Sequence, residues 1–551
     1  MATRKRWNLW SSSSLIILLT YILFLVYPLV MILSNAVFVN DAFTLDNFVR
    51  FFSHRYFRGS LMNSFQVSIA ATFFALVLGM LLAYLFAMFE FKGKKIIQVL
   101  IIIASMSAPF ISAYSWILLL GRNGAITNFL SGLGLPSFDI YGFGGITMVF
   151  TLQLFPLIFL YLNGAFKNMD RSLLEAAENL GYTGFRKFFK VIFPLLVPTI
   201  LAGCLLVFMR AFSDFGTPML IGEGFRTFPV LIFSEFVGEV RGDTSFASAL
   251  ALIAIAIALL VFVIQRTVAR KFSYSMTSFY QIEPKKTTGI KRILIYLTVY
   301  FPVFVAILPQ LFLVYTSFRN SRGIVFQEGY SFINYIEAFN RMGSAIWNTL
   351  RITFFGTVLV VVVAIFVSYL AVRKRNVWTW LIDNLSMIPF IVPGTVFGIS
   401  LLFAFNTGVG GTGILRITGT ALIIIVALSV RRLPYTIRSS VTALMQIPVS
   451  IEEAAESLGS SRFKTFFRIT VPMMLPGVIA GAILSWITML SELATSVLLY
   501  NVRTRTMTVA IYTEVLRGNF GIAAALATIL SVMTIILLLI FLKISKNNLS
   551  V

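Results

Sequence analysis

Long runs of apolar residues with almost no charge recur along this whole sequence. A helix needs about 20 mostly apolar residues to cross the hydrocarbon core of a bilayer, and twelve runs approach or exceed that length. They cover residues 14–37, 61–89, 96–120, 144–166, 190–212, 247–265, 292–318, 346–372, 380–405, 417–434, 469–490 and 522–542. A transmembrane barrel would instead show short segments of alternating apolar and polar residues. We therefore predict an all-α membrane protein with about twelve transmembrane helices.

The net charge is +23, and the positions of the basic residues indicate what this charge does. With the N-terminus inside, most of the 44 lysines and arginines lie on one side of the membrane, as the positive-inside rule requires. The clusters are Arg4-Lys5-Arg6, Lys92 to Lys95, Lys167 to Lys190, Arg266 to Arg292, Arg373-Lys374-Arg375, Arg431 to Arg468 and Lys543 with Lys546. The charge thus predicts orientation, with both termini cytoplasmic, and not a nucleic-acid partner.

Three further features narrow the class of protein. The first apolar run follows a basic segment and has no cleavage site after it, so we interpret it as an uncleaved signal anchor. The only cysteine, Cys204, falls within a predicted span, which excludes an internal disulfide. The only histidine, His54, falls in a predicted outer loop and is interpreted as a solvated surface residue. No metal site and no bound cofactor are predicted for this chain.

The sequence divides into two related halves. A polar stretch at 266–292 separates six predicted spans from six, so we predict a first unit at 1–270, a cytoplasmic linker at 271–291 and a second unit at 292–551. Because each half has an even number of spans, the halves enter the membrane in the same orientation as a parallel repeat. Matched landmarks support this prediction: Asn63 with Asn348, Pro156 with Pro434, Asp214 with Glu492, Arg226 with Arg505 and Glu235 with Glu514.

The strongest repeat lies in one loop of each half. The stretch "EAAENLGYTGFRKFFKVIFPLLVPTILAG" begins at Glu175, and "EAAESLGSSRFKTFFRITVPMMLPGVIAG" begins at Glu453. The two stretches are identical at 13 of 29 positions without a gap. Shared hydrophobicity does not explain this identity, because several matched residues are charged or small and lie outside the predicted spans. The loops, about 167–190 and about 445–468, fall on the predicted cytoplasmic side.

Each repeated loop is predicted to form a helix, a sharp turn and a second helix. In the first copy Leu173, Ala177 and Leu180 fall on one helical face, while Glu175 and Glu178 point away. Gly181 suits a left-handed position after the helix, and Thr183 suits the cap of the next one. An apolar stripe then follows: Phe185, Phe188, Phe189 and Ile192, ending at Pro194. An amphipathic helix resting in the lipid interface is the alternative.

The same pattern resembles a known family. A glutamate and two alanines, a glycine six residues after the glutamate, and a later hydrophobic-proline pair resemble the coupling loop of binding-protein-dependent ABC importer permeases. That family commonly has leucine before the proline, where this chain has Phe193 and Val471. The resemblance covers the whole chain and assigns ATPase coupling to Glu175, Ala176, Ala177, Glu178 and Gly181, and to Glu453, Ala454, Ala455, Glu456 and Gly459.

The resemblance implies a type I ABC importer permease fold in a bacterial cytoplasmic membrane. Each coupling helix is expected to seat in a groove of a separate ATP-binding subunit, and those two subunits would hold ATP and magnesium. An external solute-binding protein is expected to deliver the cargo. The joining of two permease units in one chain resembles the ferric iron importers most closely. Importers of 2-aminoethylphosphonate or thiamine share that layout and remain open.

Other classes of protein fit the sequence less well. No G-x-x-x-x-G-K-[ST] phosphate loop occurs, since Gly93-Lys94 lacks the earlier glycine, so the chain is predicted to be a transport subunit and not an enzyme. An ion-coupled secondary transporter would show similar hydropathy, but it has no ATPase for the repeated loop to receive. An intramembrane enzyme would need a catalytic constellation, and none is evident.

Charged residues near the predicted span ends are candidates for a transport pathway or for contact with the binding protein. Such groups are expensive near hydrocarbon, although side chains at span ends reach water by snorkelling. Asp214 and Glu492 occupy equivalent places after spans five and eleven, and Glu235 and Glu514 lie in the two largest outer loops. We predict that these four acids face the cargo or the binding protein.

Overall fold

The computed structural model describes residues 9–39, 42–106, 108–238, 243–271, 280 and 282–547. Helices dominate these residues, as the apolar runs predict. The first half contains α1 (Leu9–Tyr21), α2 (Tyr27–Val37), α3 (Asp46–Ser53), α4 (Arg55–Met88), α5 (Lys94–Met106), α6 (Pro109–Leu120), α7 (Ala125–Gly132), α8 (Phe143–Lys167), α9 (Arg171–Asn179), α10 (Gly184–Lys187), α11 (Phe193–Ser213), α12 (Gly216–Ile221), α13 (Phe228–Val237) and α14 (Thr244–Lys271).

The second half repeats this order of elements. It contains α15 (Gly289–Ser317), α16 (Ile333–Arg373), α17 (Val377–Leu385), α18 (Ile388–Ile391), α19 (Gly394–Phe405), α20 (Ala421–Met445), α21 (Val449–Ser457), α22 (Arg462–Thr465), α23 (Val471–Leu490), α24 (Ser496–Leu499), α25 (Met507–Leu516) and α26 (Phe520–Asn547). Short π-helical segments at Ile22–Val26, Phe188–Ile192 and Phe466–Thr470 join α1 to α2, α10 to α11 and α22 to α23. A 3₁₀ turn covers Val409–Gly411.

Two small antiparallel hairpins follow the first helix of each half. Strands β1 (Phe38–Val39) and β2 (Ala42–Phe43) pair after α2, and β3 (Arg319–Arg322) and β4 (Val325–Tyr330) pair after α15. The second hairpin is tied to the start of α16, because the Asn334 side-chain amide donates to the carbonyls of Ser317 and Arg319 over 3.0 and 2.7 Å. The apolar periodicity of the sequence gave no sign of these strands.

Ten helices in the described part of the chain are long and apolar enough to cross a membrane. They are Ser12–Val37, Arg55–Met88, Phe143–Lys167, Gly184–Ser213, Thr244–Val268, Gly289–Ser317, Ile333–Arg373, Gly394–Gly411, Arg462–Leu490 and Phe520–Ile544. The count rises to eleven if the bent pair Lys94–Ser105 and Phe110–Gly132 forms one span. The predicted all-α membrane fold is confirmed, and each predicted apolar run coincides with helix.

Two of the predicted spans are not continuous helices. The run at 96–120 is interrupted between α5 and α6, and the run at 380–405 is interrupted on both sides of α18. Proline explains both breaks, because its ring removes a backbone donor and clashes with the preceding turn. Pro109 and Pro389 stand in the first turns of α6 and α18, and Pro393 caps α19.

The predicted end of the tenth span at residue 434 is wrong. Helix α20 continues to Met445 and carries Arg431, Arg432 and Arg438 within it, so α20 is not among the ten apolar helices. All three of these arginines lie in the range from Arg431 to Arg468 that the charge pattern predicts to be cytoplasmic. Arg431 and Arg432 instead turn toward Glu492 inside the protein, and this carboxylate allows the helix to continue with buried charge.

The second-half helices pack in a unit that also contains the N-terminal segment. This unit comprises Met1–Phe48, Glu235–Ile255 and Ser317–Val551. Its core is formed by α16, α20, α23 and α26. The ring of Trp10 lies 4.4 Å from the ring of Tyr369 and 4.9 Å from that of Phe466. The N–H of Gly410 donates to the Tyr27 hydroxyl over 2.9 Å, so α1 and α2 both contact second-half residues.

The other unit comprises Val49–Ser234 and Ala256–Thr316. Its core is formed by α4, α8 and α11. Helix α15 packs here, because Ile295, Val299 and Val303 are buried in the same hydrophobic cluster as α4 and α8. The Tyr300 hydroxyl donates to the Lys92 carbonyl over 2.6 Å. The first helix of each half is therefore part of the unit built mainly from the other half.

The repeat and the packing units thus divide the chain differently. The predicted boundaries at 270 and 292 describe the sequence repeat and stay a prediction. Helix α14 ends at Lys271 and α15 begins at Gly289. Of the predicted linker between them, residues 272–279 and 281 lie outside the described part of the chain.

The exchanged first helix predicts a stability effect for Trp10. The ring of Trp10 is 8% exposed, and removal of a buried tryptophan side chain typically lowers the free energy of unfolding by about 3 kcal/mol or more. We expect Trp10→Ala to lower the unfolding temperature of the detergent-purified protein, measured by intrinsic fluorescence. Trp347, which is 64% exposed, provides the control, and equal effects of Trp347→Ala and Trp10→Ala would contradict the packing described here.

Candidate functional site

Both repeated loops have the predicted helix, turn and helix. In the first loop the Asp170 carboxylate accepts the Ser172 N–H over 2.9 Å and thereby caps α9. Helix α9 then runs for nine residues, as α21 does in the second loop. Only three or four residues separate each of these helices from the long helices before and after it. These short connections leave little freedom for α9 or α21 to move alone.

Each loop turns at the predicted glycine. Gly181 has φ of 81° and Gly459 has φ of 87°, a left-handed conformation that other L-residues adopt only at a cost. The N–H after each glycine donates to the carbonyl five residues before it, over 2.9 Å in the first loop and 3.0 Å in the second. The glycine N–H donates to the carbonyl three residues before it. These bonds form the Schellman motif that ends many helices.

The second helix of each loop begins in the same irregular way. The Ser461 hydroxyl accepts the Lys464 N–H over 3.3 Å, whereas Thr183 occupies the cap position without a side-chain bond. A five-residue π-helical segment then precedes Pro194 in one loop and Pro472 in the other. A wider π turn relieves the crowding that a proline causes in a helix. The local backbone is therefore repeated down to its irregularities.

The predicted apolar face of α9 is partly wrong. Leu174 and Ala177 are buried, but Leu173 is 46% exposed and Leu180 is 77% exposed. The difference has a geometric cause, since Leu180 lies beyond the last helical residue, Asn179, and no longer follows the helical spacing. The buried face is narrower than predicted, and leucine side chains stand free on the other side.

Exposed apolar side chains occupy matched places in the two loops. Leu180 and Leu458 are 77% and 90% exposed, and Phe185 and Phe463 are 84% and 54% exposed. An amphipathic helix in a lipid interface would bury its apolar residues in one plane, but these residues surround a turn. Large exposed apolar side chains next to polar ones are typical of a surface that binds another protein.

Ion pairs fix the acidic residues of the first loop. Arg171 Nε lies 2.6 Å from Glu175 Oε1, and Lys187 Nζ lies 2.5 Å from Glu178 Oε1. The second pair joins α9 to α10 across the turn. The hydrogen bond and charge of Lys187, with a smaller contribution from Lys285, lower the pKa of Glu178 below its ordinary value. Ala176 is exposed beside these groups.

The predicted linker contacts the first loop. The carbonyl of Tyr280 accepts the Arg171 N–H over 3.0 Å, and Arg171 Nη1 lies 2.6 Å from Glu283 Oε2. Lys285 Nζ lies 3.9 Å from Glu178 Oε1. The backbone of Lys285 also pairs with the chain at Phe89. The linker residues therefore contribute to the surface around α9, although their sequence showed only polarity.

The second loop presents its matched residues in a similar way. Glu453, Ala454 and Gly459 are exposed, and Ala455 is half-buried. Glu456 Oε2 lies 3.4 Å from Arg462 Nε, so here too an ion pair crosses the turn. The ATPase-coupling role assigned to these residues stays a prediction, while the structure gives them the same backbone geometry in both loops.

A buried ion pair anchors α21, and the sequence analysis missed it. Arg373 Nε at the end of α16 lies 2.9 Å from Glu452 Oε1, and both side chains are 10% exposed. Arg373 also donates to the Ile447 carbonyl over 2.7 Å. The first loop has Leu174 where the second has Glu452, and Leu174 is buried in an apolar cluster. The replacement of Leu174 by Glu452 in an otherwise close repeat was the sequence signal that could have revealed this ion pair.

The buried pair predicts a non-additive mutational effect. Glu452→Leu alone leaves the Arg373 charge buried without its partner and should lower the free energy of unfolding by about 3 kcal/mol. The double variant Arg373→Met with Glu452→Leu introduces an apolar pair like the first half and should recover most of that loss. Thermal unfolding of the parent protein and of the two purified variants measures this. Equal destabilisation by the single and double changes would contradict the pairing.

The acids predicted near a pathway have structural partners. One oxygen of Asp214 accepts the Thr217 N–H over 2.8 Å, and one oxygen of Glu492 accepts the Thr495 N–H over 3.0 Å. Each acid thus closes the same turn in its own half. Glu492 is only 5% exposed and pairs with arginines, so its carboxylate does not present an open surface. A pathway role for either acid stays a prediction.

The other two predicted acids, Glu235 and Glu514, lie in short helices and not in open loops. Glu514 in α25 is 1% exposed, and its carboxylate accepts Arg517 Nη1 over 3.1 Å and Asn519 Nδ2 over 2.6 Å. Glu235 in α13 is half-buried. The outer segments predicted as large loops therefore contain α13 and α25. Contact of Glu235 or Glu514 with a binding protein stays a prediction.

Long apolar helices and a helix-turn-helix loop present twice define the class of protein: an integral membrane permease built from two related units. The chain belongs to the family described as binding-protein-dependent transport system inner membrane component, which matches residues 75–274 and 360–547. Each match includes one of the two loops. The chain is therefore a multi-pass membrane transport subunit with the family's domain present twice, as the sequence resemblance predicted.

Similar proteins extend over most of the chain. The ferric transport system permease protein FbpB of Actinobacillus pleuropneumoniae is 29% identical over 540 residues, which are 95% of this chain and 77% of that protein. A putative ferric transport system permease protein FbpB 1 of Haemophilus influenzae is 28% identical over 90% of this chain and 78% of its own. The spermidine/putrescine permease protein PotB of Escherichia coli is 31% identical over 36% of this chain and 76% of its own.

A solved structure also resembles part of the chain. It is that of a bacterial alginate ABC transporter in complex with an alginate pentasaccharide-bound periplasmic protein. The match has a TM-score of 0.40 and 18% sequence identity, and it covers 48% of this chain and 95% of the other.

Proposed function

We propose that this chain is the permease of an ATP-driven importer of ferric iron. In this proposal two separate ATP-binding subunits dock on the loops at 167–190 and 445–468, and an external binding protein delivers the cargo. The observation that carries the proposal is the second copy of the loop, with the same turn and the same exposed apolar side chains as the first. Two loops with the same backbone shape suit a motor made of two equivalent subunits.

The loop geometry suits the transmission of force into the membrane. Helix α9 is joined by short connections to the ends of α8 and α10, and α21 is joined in the same way to α20 and α22. The helix pairs α10–α11 and α22–α23 each continue as one long helix. A displacement of α9 or α21 by a docked subunit would therefore reach two membrane helices at once. Coupled shifts of packed helices are a common route for conformational switching.

The orientation and cargo are further parts of the proposal. The basic clusters favour a cytoplasmic position for the loops and for both termini. The names of the FbpB proteins of Actinobacillus pleuropneumoniae and Haemophilus influenzae favour ferric iron as cargo, and import of 2-aminoethylphosphonate or thiamine is the alternative. ATP and magnesium would be bound by the partner subunits and not by this chain.

The proposed lever predicts an uncoupled variant. A side chain at Gly459 meets nothing within 4 Å, but its φ of 87° strains any other residue by roughly 1–2 kcal/mol. We expect Gly459→Val to tilt α21 while the chain still inserts into the membrane. ATP hydrolysis by the purified complex should persist, while uptake into cells falls about tenfold, a loss equivalent to about 1.4 kcal/mol of coupling.

A matched control exists outside the loops. Gly134 also has positive φ, 69°, and open space around it, so Gly134→Val imposes similar strain elsewhere and should leave uptake unchanged. Normal uptake by Gly459→Val, or equal loss in both variants, would count against a lever at the second loop.

Cargo identity is tested by uptake in a strain that expresses the full transporter. We expect labelled ferric iron to accumulate, and labelled thiamine and 2-aminoethylphosphonate to remain outside. Deletion of the ATP-binding partner alone should abolish that accumulation. Uptake of thiamine or the phosphonate in place of iron would contradict the ferric assignment, and uptake without the ATP-binding partner would contradict ATP-driven transport.

A further inference from the structure

Two arginines of α20 converge on one carboxylate inside the second-half unit. Arg431 Nη1 lies 2.5 Å from Glu492 Oε1, and Arg432 pairs with the other oxygen of the same carboxylate. The side chains of Arg431, Arg432 and Glu492 are 13%, 18% and 5% exposed. The cluster therefore combines two positive charges and one negative charge within a bundle of membrane helices.

Among the residues that the structure describes, Glu492 is the one acid that forms an ion pair with Arg431 or Arg432. Asp383 pairs with another arginine of α20, Arg438, at 3.3 Å. The Nε groups of both Arg431 and Arg432 are buried and donate to no acceptor in the described part of the chain. An uncompensated charge among apolar helices is costly. A bound anion would remove that cost and would accept the idle donors.

The surroundings of the pair add donors. Gly394, the first residue of α19, lies so close that a Cβ there would be 2.7 Å from Arg431 Nη1. The first N–H groups of a helix lack intrahelical acceptors and carry partial positive charge. The Thr495 hydroxyl accepts Arg431 Nη1 over 2.9 Å and donates to the Gly394 carbonyl over 3.1 Å. The hydroxyls of Thr395 and Ser496, the residues next to Gly394 and Thr495 in sequence, are buried and have no hydrogen-bond partner among the described residues. The start of α19 beside Arg431 adds to the positive potential that favours a negative ligand.

The fold does not require the arginines. In the first half Gln153 and Leu154 stand at the same distance before Pro156 as Arg431 and Arg432 stand before Pro434. Asp214 still closes its turn by accepting the Thr217 N–H, as Glu492 does with Thr495. The same helix crossing and turn therefore form without any cation at these positions. A structural role shared by both halves therefore does not explain why the second half has arginines at these positions.

We propose that Arg431 and Arg432 bind an oxyanion group, a carboxylate or a phosphoryl-type group, carried by the cargo. Guanidinium groups match the planar geometry and charge of such anions. Glu492 holds both guanidinium groups in place and leaves one charge for the ligand. The inference rests on the proposed import function and deepens it: ferric iron would pass this point as a complex with oxyanion ligands, because the excess positive charge repels a bare cation.

Binding of two simple probes tests the site. The full chain is reconstituted in lipid nanodiscs, and equilibrium dialysis measures binding of labelled inorganic phosphate and labelled citrate. We expect Arg431→Gln to weaken binding about tenfold or more, since it removes the excess charge and one fork of donors. Glu492→Gln frees both guanidinium groups and should strengthen binding. Arg438→Gln, which changes an exposed arginine on the same helix, should have no effect.

The opposite signs separate this proposal from a structural ion cluster. A structural cluster predicts that Arg431→Gln and Glu492→Gln both lower the unfolding temperature and that neither changes anion binding beyond that loss. If Arg431→Gln does not fold, Arg432→Gln keeps the pair of Arg431 with Glu492 and tests the same point. Binding of phosphate alone identifies a phosphoryl-type group, and binding of citrate alone identifies a carboxylate. Unchanged binding of both probes in the arginine variants overturns the proposal.

This result is independent of the ferric assignment. Probe binding by the reconstituted chain needs no ATP-binding subunit and no iron. Ferric uptake with no anion binding at Arg431 and Arg432 would refute only the oxyanion site. Anion binding that is lost in Arg431→Gln, together with absence of ferric uptake, would refute only the ferric cargo and would favour an anionic one.

Discussion

A peptide group in hydrocarbon must find its hydrogen-bond partner within the protein, and the rest of this structure depends on that constraint. Unbroken helices satisfy it alone. Where the chain departs from a helix, side chains take over the freed bonds: Ser64 accepts the Phe228 N–H at the start of α13 over 2.7 Å, and Thr349 accepts the Met507 N–H at the start of α25 over 2.6 Å. The same kind of hydrogen bond at the starts of α13 and α25 shows that these interruptions of the helices are part of the repeated fold.

Within this common backbone, the two halves solve the anchoring of their loop helices differently. The second half uses the buried pair of Arg373 and Glu452, and the first half uses Leu174 together with linker contacts to Arg171. A buried ion pair rarely exceeds an apolar contact in net stability, but it specifies geometry through directed bonds. The two loops therefore have the same backbone shape but different charged residues around it. The two halves are not interchangeable for this reason.

The sequence predicted what local rules determine. Apolar runs long enough to span a bilayer form helices. Gly181 and Gly459 adopt the left-handed conformation that glycine takes without strain. Long-range packing was beyond reach: no periodicity shows that α1 and α2 pack with second-half residues, or that Arg431 turns toward an acid 61 residues later. The buried face of α9 was partly misplaced: Leu174 is buried in place of Leu173, and Leu180 lies beyond the end of the helix.

Comparison of the two halves distinguishes residues with a role in both halves from residues with a role in one half only. Residues matched between the halves, such as the loop glycines and the acids Asp214 and Glu492, hold the same turns in both units and serve what both units do. Unmatched polar residues in buried positions serve one half only: Arg373 and Glu452 anchor α21, and residues without such an anchoring role are free for a function that one half performs. Arg431 and Arg432 are the clearest example, because Gln153 and Leu154 occupy the equivalent places. A cargo crosses the membrane once, so a site present in one half alone suits the recognition of cargo, whereas two loops suit a paired motor.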